Sequence, residues 1–238
     1  MRKAELYSDL DWIENKFSFN QLFELFYTLA RVRYATPKQL QPLNHRVATK
    51  TNLVKFCESG YLDGVSLVKN ETAFYITDKT KQILANEGFN VKVLQKDFTG
   101  QTLTHPLKIT DCILKLQGEE HFYNVFYPVF REAPKYDKEF LRPDFCVVLK
   151  KKSVNIAHYK IEFCEVETEK PDWLNYLLIK KEKYEKLATD KNLYSLWWKV
   201  WAGKLNLPMC KEKDFCFSVR CFGNIKRDWE GWQFNELA

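Results

Sequence analysis

The sequence predicts an α+β protein of two domains, which meet between residues 98 and 99. Two patterns indicate this fold class. Before that point apolar residues recur at helical spacing, and after it strand-like runs alternate with helices. The chain's 238 residues suit two small domains or one large one. Gly and Pro number only 8 each, so we expect no long disordered linker.

Hydropathy, charge and cysteine content narrow the class of protein. No window reaches the roughly 18 consecutive apolar residues of a membrane helix, and the first residues carry no apolar signal region. We therefore expect a cytoplasmic protein without a membrane partner. The net charge of +6 is compatible with a nucleic-acid partner but does not require one. The 7 cysteines are odd in number and include no CxxC pair, which favours reduced thiols.

Three helices are expected in the first domain, followed by a hairpin and a fourth helix. Apolar spacing marks the first helix, Thr36 and Pro37 start the second, and Ser59-Gly60 ends the third. The period then changes to two in short runs around a polar tip, which predicts a hairpin. The helices are expected over residues 19–34, 37–43, 49–58 and 78–86, and the strands over 65–68 and 72–76.

This order of elements resembles a winged helix-turn-helix. The run from Phe74 to Lys79 is similar to the strand-to-helix motif Y-x-L-T-x-x-G of such domains, although its Gly is missing. The resemblance implies that the third helix enters the major groove of double-stranded DNA and that the hairpin tip contacts phosphate. The alternative is a solvated helix face on a domain that binds protein. The candidate DNA contacts are polar or cationic: Arg46, Thr49, Lys50, Asn52, Lys55 and Lys69.

Acidic side chains gather on two predicted strands of the second half. One strand, over residues 141–149, is entered through Pro143 and Asp144, and the other covers residues 156–167. Glu165 and Glu167 extend a face whose earlier members are apolar, where two carboxylates repel each other and are costly to desolvate. A divalent cation removes both problems, and carboxylates suit Mg²⁺ or Mn²⁺. The alternative is that Asp144 caps a turn and the glutamates pair with lysines on a solvated strand end.

The same residues resemble the core of the PD-(D/E)xK nuclease superfamily. Pro143-Asp144 is followed 21 residues later by Glu165-Val166-Glu167, where the motif's lysine is replaced by Glu167. The replacement puts the usual transition-state lysine in doubt. Lys180 and Tyr184, four residues apart on the next helix, are similar to the Q/K-x-x-x-Y element of some members. Lys181 and Lys183 are competing candidates for the replacement lysine. The resemblance implies metal ligands at Asp144, Glu165 and Asp111, with Glu167 and Lys180 as further catalytic residues.

The whole arrangement resembles the replication-relaxation family of plasmids and other mobile elements. Its members pair an N-terminal winged helix with a PD-(D/E)xK-like domain. The resemblance implies a role in mobile-element replication or transfer, and it leaves open whether the protein cleaves DNA. The candidate functions are a metal-dependent endonuclease, a non-catalytic replication factor or regulator with an inactive nuclease fold, and a protein-interaction scaffold. A homodimer is the candidate assembly. The matching stretches are 74–79, 105–111, 142–144, 163–167 and 180–184.

Overall fold

A computed structural model shows two compact units, residues 1–114 and 115–238. Its α-helices and two β-sheets confirm the predicted α+β class. The predicted domain boundary at 98/99 lies outside the residues that the structure describes. No helix in the described part of the chain is long and apolar enough to cross a membrane. The described residues are 6–7, 10–13, 16–44, 46–67, 70–89, 91, 103–127, 143–152, 157–167, 171–190 and 215–236.

The first unit is built around three helices: α1 (Phe19–Val32), α2 (Pro37–Asn44) and α3 (Lys50–Glu58). A capping box starts α1, because the Ser18 hydroxyl accepts from the Gln21 N–H while the Gln21 side chain accepts from the Ser18 N–H. The helix ends two residues earlier than predicted. Arg33 adopts a positive φ of 72° and closes the last turn through its N–H bond to Leu29 O, at 2.8 Å.

A hairpin follows α3, made of β1 (Leu62–Ser66) and β2 (Thr72–Ile76). Its first strand begins earlier than the predicted 65–68, because Asp63 and Gly64 pair with Tyr75 and Phe74. A third segment joins the hairpin through an antiparallel bridge between Ala35 and Phe74. Two further α-helices precede the second sheet: α4 (Asp78–Asn86) and α5 (Thr104–Gln117), and the last three residues of α5 belong to the second unit.

The second unit contains a five-stranded mixed sheet, which confirms the predicted mixed character. The first three strands are antiparallel, and the last two join them in parallel, in the order β3-β4-β5-β6-β7. The elements are β3 (Phe122–Phe126), β4 (Phe145–Lys152), β5 (Ala157–Val166), α6 (Trp173–Thr189), β6 (Phe215–Phe222) and β7 (Trp232–Asn235).

Helix α6 packs on the sheet through an apolar cluster at its first two turns. Trp173 and Leu177 are buried with Cys221 of β6, and Trp229 and Trp232 pack against them. The Trp229 and Trp232 rings meet edge to face, with centroids 5.0 Å apart. Trp229 and Trp232 are therefore half-buried against this cluster. Core packing here fixes α6 along the sheet and so determines which of its side chains reach β5.

Candidate functional site

The strand register brings two of the predicted acidic residues together. Phe145, the first residue of β4, lies opposite Cys164 of β5, so Asp144 stands just before the paired part of β4, near Glu165. The Asp144 N–H donates to Cys164 O at 3.0 Å, and Asp144 Oδ2 accepts from the Val166 N–H at 2.7 Å. The charge of Asp144 helps to raise the pKa of Glu165, so the two carboxylates lie near each other at this end of β5.

Glu165 is completely buried and is held by two side chains of α6. Its Oε1 accepts a hydrogen bond from the Tyr184 hydroxyl at 2.7 Å, and its Oε2 forms an ion pair with Lys180 Nζ. Lys180 is itself only 6% exposed. One helical turn separates Lys180 from Tyr184, so both reach the same carboxylate. The structure therefore places Lys180, expected at the site from its spacing, in direct contact with Glu165.

Burial dominates the electrostatics of this cluster. It raises the pKa of Glu165 to about 7; Asp144 acts in the same direction, and Lys180 and Tyr184 oppose it. Burial lowers the pKa of Lys180, but the charges of Glu165 and Asp144 outweigh this effect and raise the pKa overall. Burial and the Glu165 charge also raise the pKa of Tyr184 well above its ordinary value. Lys180 is thus a permanent cation beside a carboxyl group that can exchange its proton near neutral pH.

Two thiols border Glu165 without adding charge. Cys221 lies beside Glu165 in the parallel β5–β6 register, and Cys146 lies opposite Phe163 on the same face. Burial raises the pKa of Cys221 to about 12 and that of Cys146 well above its ordinary value. Both thiols are therefore protonated at neutral pH, when they are poor metal ligands. Within the described ranges, no group of three or more His, Cys, Asp or Glu side chains is arranged to hold a metal ion.

Glu167 lies one residue beyond β5 and contacts the turn after β6. Its N–H donates to Phe222 O at 2.8 Å, and its Oε2 accepts from the Asn224 N–H at 2.5 Å. Gly223 lies so close that a Cβ there would be 2.7 Å from Glu167 Cβ. These contacts tie the ends of β5 and β6 together. The catalytic role expected for Glu167 stays a prediction, and the structure adds an anchoring one.

Asp111, the third predicted metal ligand, belongs to the first unit. Its Oδ1 accepts from Gln39 Nε2 at 2.7 Å, and Gln39 Oε1 in turn accepts from the Thr36 N–H at 2.9 Å. Burial raises the pKa of Asp111, opposed by the Gln39 hydrogen bond and the Lys38 charge. Asp111 therefore helps to fix the N-terminal turn of α2. Its role as a metal ligand stays a prediction.

The predicted DNA contacts divide into exposed residues and residues that shape the start of α3. Arg46 and Lys50 are exposed. Thr49 caps α3 by accepting from the Asn52 N–H at 3.3 Å, and Asn52 Nδ2 donates to Arg46 O at 3.0 Å. Lys55 Nζ lies 5.1 Å from the centre of the Trp12 ring.

The remaining candidate, Lys69, lies outside the residues that the structure describes. Two of the predicted cations are thus exposed to solvent: Arg46 in the turn before α3, and Lys50 at the start of α3. Thr49 and Asn52 hold that turn in place through the hydrogen bonds given above.

A buried ion-pair network on the other face of the sheet was not expected. Glu162 is fully buried, with its Oε2 2.6 Å from Arg220 Nη2 and its Oε1 3.1 Å from Lys160 Nζ. Arg220 also pairs with Glu119 at 2.6 Å. A signal was present, because the two-residue period of β5 places Glu162 on the face opposite Glu165. The network lies away from the acidic pair and connects β5 and β6 to the turn after α5.

No family model, curated protein or solved structure matches the chain.

Proposed function

We propose that the protein binds double-stranded DNA through a winged-helix first unit. Its second unit is then a PD-(D/E)xK-type domain that hydrolyses phosphodiester bonds with Mg²⁺ or Mn²⁺. One observation carries the proposal: the carboxylates of Asp144 and Glu165 lie near each other where β4 begins and β5 ends, with Lys180 in contact with Glu165. Paired carboxylates beside a buried cation suit chemistry at a phosphate group.

The element order of the first unit supports a winged helix. Three helices precede a hairpin, and Ala35 adds a third segment to that hairpin through its bridge to Phe74. Arg46 and Lys50 stand exposed at the start of α3, where polar and cationic groups can reach phosphates and base edges. Because phosphate contacts release counterions, binding through this face should weaken steeply as salt rises.

In the second unit, Asp144 and Glu165 would hold the metal ion. The ion would polarise the phosphodiester and lower the pKa of an attacking water. Glu165 must be ionised to bind it, and the raised pKa of Glu165, about 7, means that metal and proton compete. Lys180 Nζ now neutralises Glu165. If a bound metal ion neutralised Glu165 instead, Lys180 would be free to neutralise charge on the scissile phosphate.

A second candidate is a DNA-binding replication factor or regulator whose nuclease-like domain does not cleave. The contacts of the acidic pair favour it. Both Glu165 oxygens are occupied by Lys180 and Tyr184, and Asp144 accepts a backbone N–H from Val166. A carboxylate satisfied in this way can serve as a structural element alone. Either candidate fits a role in mobile-element replication.

The homodimer stays a proposal, which light scattering of the purified protein can test.

Cleavage assays separate the two candidates. The full chain is incubated with supercoiled, nicked and branched DNA in Mg²⁺ or Mn²⁺, alongside Asp144→Asn and Glu165→Gln. We expect wild-type cleavage that both substitutions abolish while DNA binding persists. Glu182→Gln is the matched control, because Glu182 is an exposed carboxylate on α6. Cleavage that survives both site substitutions would mean that the site is misplaced, and a wild type that binds without cutting would favour the regulator.

A further inference from the structure

An exposed aromatic ring lies at the rim of the acidic site. Tyr176 is on α6, four residues before Lys180, and is 50% exposed. Lys180 Nζ lies 4.9 Å from the centre of the Tyr176 ring while it pairs with Glu165. One ammonium group thus contacts both the buried carboxylate and the exposed ring. The ring is therefore adjacent to the place where a scissile phosphate would bind.

The neighbours of Tyr176 support its ring without covering it. Trp173, which is 4% exposed, packs against it with centroids 5.7 Å apart and an interplanar angle of 34°. Ile179, three residues further along the helix, is 55% exposed. Within the described part of the chain the Tyr176 hydroxyl makes no hydrogen bond. The rim therefore offers solvent an aromatic and aliphatic surface held by a buried indole.

We propose that Tyr176 is a stacking platform for a nucleobase, so that the substrate is DNA with an unpaired base next to the scissile phosphate. This inference rests on the proposed function and narrows its substrate class to single strands, flaps and gaps. Bases inside a duplex are stacked on their neighbours and present no face to a side chain. An unpaired base exposes its face, and each of the four bases can stack on an aromatic ring.

The charges around the ring favour a polyanion over a protein as the occupant. Lys180 lies against the Tyr176 ring, and Lys183, seven residues after Tyr176, falls on the same side of α6 two turns later. No ion pair of Lys183 is found among the described residues. A cation near an aromatic platform lets the phosphates bind while the base stacks, as in single-strand-binding grooves. The exposed ring is then a subsite of the site at Asp144 and Glu165.

Binding measured in EDTA tests the inference without requiring turnover. The full-length protein is titrated into an oligo-dT flap substrate that carries one 2-aminopurine in the flap, and into the matching blunt duplex. We expect Tyr176→Ala to weaken flap binding by about 5- to 150-fold, the range measured for loss of one stacking ring. Tyr176→Phe should stay within about twofold of the wild type and should keep the fluorescence quenching that stacking causes. Blunt-duplex affinity should be unchanged by either substitution.

Tyr123→Ala is the matched control. Tyr123 is also an exposed tyrosine, at 39%, with Lys150 Nζ 5.3 Å from its ring centre. It lies near the other end of the sheet, because Lys150 pairs with Tyr159, six residues or about 20 Å along β5 from Glu165. Its substitution should leave flap binding and quenching intact.

Three results would overturn the inference. One is a Tyr176→Ala variant that binds the flap like the wild type. Another is Tyr176→Phe losing as much affinity as Tyr176→Ala, and the third is an equal loss for the blunt duplex. A change in oligomeric state of Tyr176→Ala, without a change in flap affinity, would assign the ring to a protein contact instead. Failure of the proposed cleavage is distinguishable, because it would leave the Tyr176 effect in EDTA intact.

Discussion

The buried pair of Glu165 and Lys180 predicts an unusual dependence of stability on pH. Burial raises the pKa of Glu165 from 4.5 to about 7 in the folded protein. Between these values the folded state keeps a proton that the unfolded state has lost. The stabilisation from this proton is complete below pH 4.5 and is lost as the pH rises through 7. A difference of about 2.5 pKa units corresponds to about 3 kcal/mol.

The double substitution Glu165→Gln with Lys180→Met tests this dependence, because it removes both charges and keeps the side-chain volumes similar. The wild type should lose about 3 kcal/mol of unfolding free energy between pH 4.5 and 8 relative to this variant. Replacing a buried pair by neutral side chains is often neutral or stabilising, so the variant should fold. Lys180→Met alone should destabilise the protein at pH 8, since it leaves the Glu165 charge buried without its cation.

Urea denaturation of the full chain, followed by tryptophan fluorescence at several pH values, measures both effects. Trp173 packs against Tyr176 and Trp232 meets Tyr184 edge to face, so both should report the unfolding of the second unit. If wild type and double variant show the same pH dependence within about 0.5 kcal/mol, Glu165 keeps an ordinary pKa and the reasoning from burial fails.

Three further predictions concern other contacts. Gly223→Ala should lower the free energy of unfolding by about 1–3 kcal/mol, measured by urea denaturation, because its Cβ would meet Glu167; an unchanged midpoint would contradict this contact. Arg220→Met should lower the free energy of unfolding by at most about 3–5 kcal/mol, since it removes the cation paired with the buried Glu162 Oε2 while Lys160 stays paired with Oε1; adding Glu162→Gln should recover most of that loss, as a thermal-melting cycle would show. Arg46→Ala should weaken duplex binding and lower the slope of log K against log salt by about one, whereas a slope equal to the wild type would remove it from the phosphate contacts.

The two carboxylates of the site could be predicted from the alternation of side chains along the strands. This alternation placed Glu165 on a mostly apolar face, and the Pro143-Asp144 entry to β4 placed the second carboxylate at the adjoining strand end. Lys180 was also predictable, because helical spacing puts it on the same side as Tyr184. These inferences depend on local periodicity, which needs no knowledge of the tertiary fold.

Contacts between distant segments could not be predicted in the same way. Glu167 continues the acidic face in sequence, but its partner, the Asn224 N–H, is 57 residues away. Asp111 likewise bonds to Gln39, 72 residues away. Such partners depend on which elements the core brings together, and alternation within one strand carries no information about them. The start of β1 was missed for another reason: Asp63-Gly64 has turn chemistry, yet pairing with β2 outweighs it.

Anomalous scattering from a crystal soaked in Mn²⁺ tests the central claim most directly. We expect a manganese peak between the carboxylates of Asp144 and Glu165, with Lys180 Nζ withdrawn from Glu165 Oε2. A soaked crystal with no peak there, in which Lys180 still pairs with Glu165, would contradict a metal-dependent site.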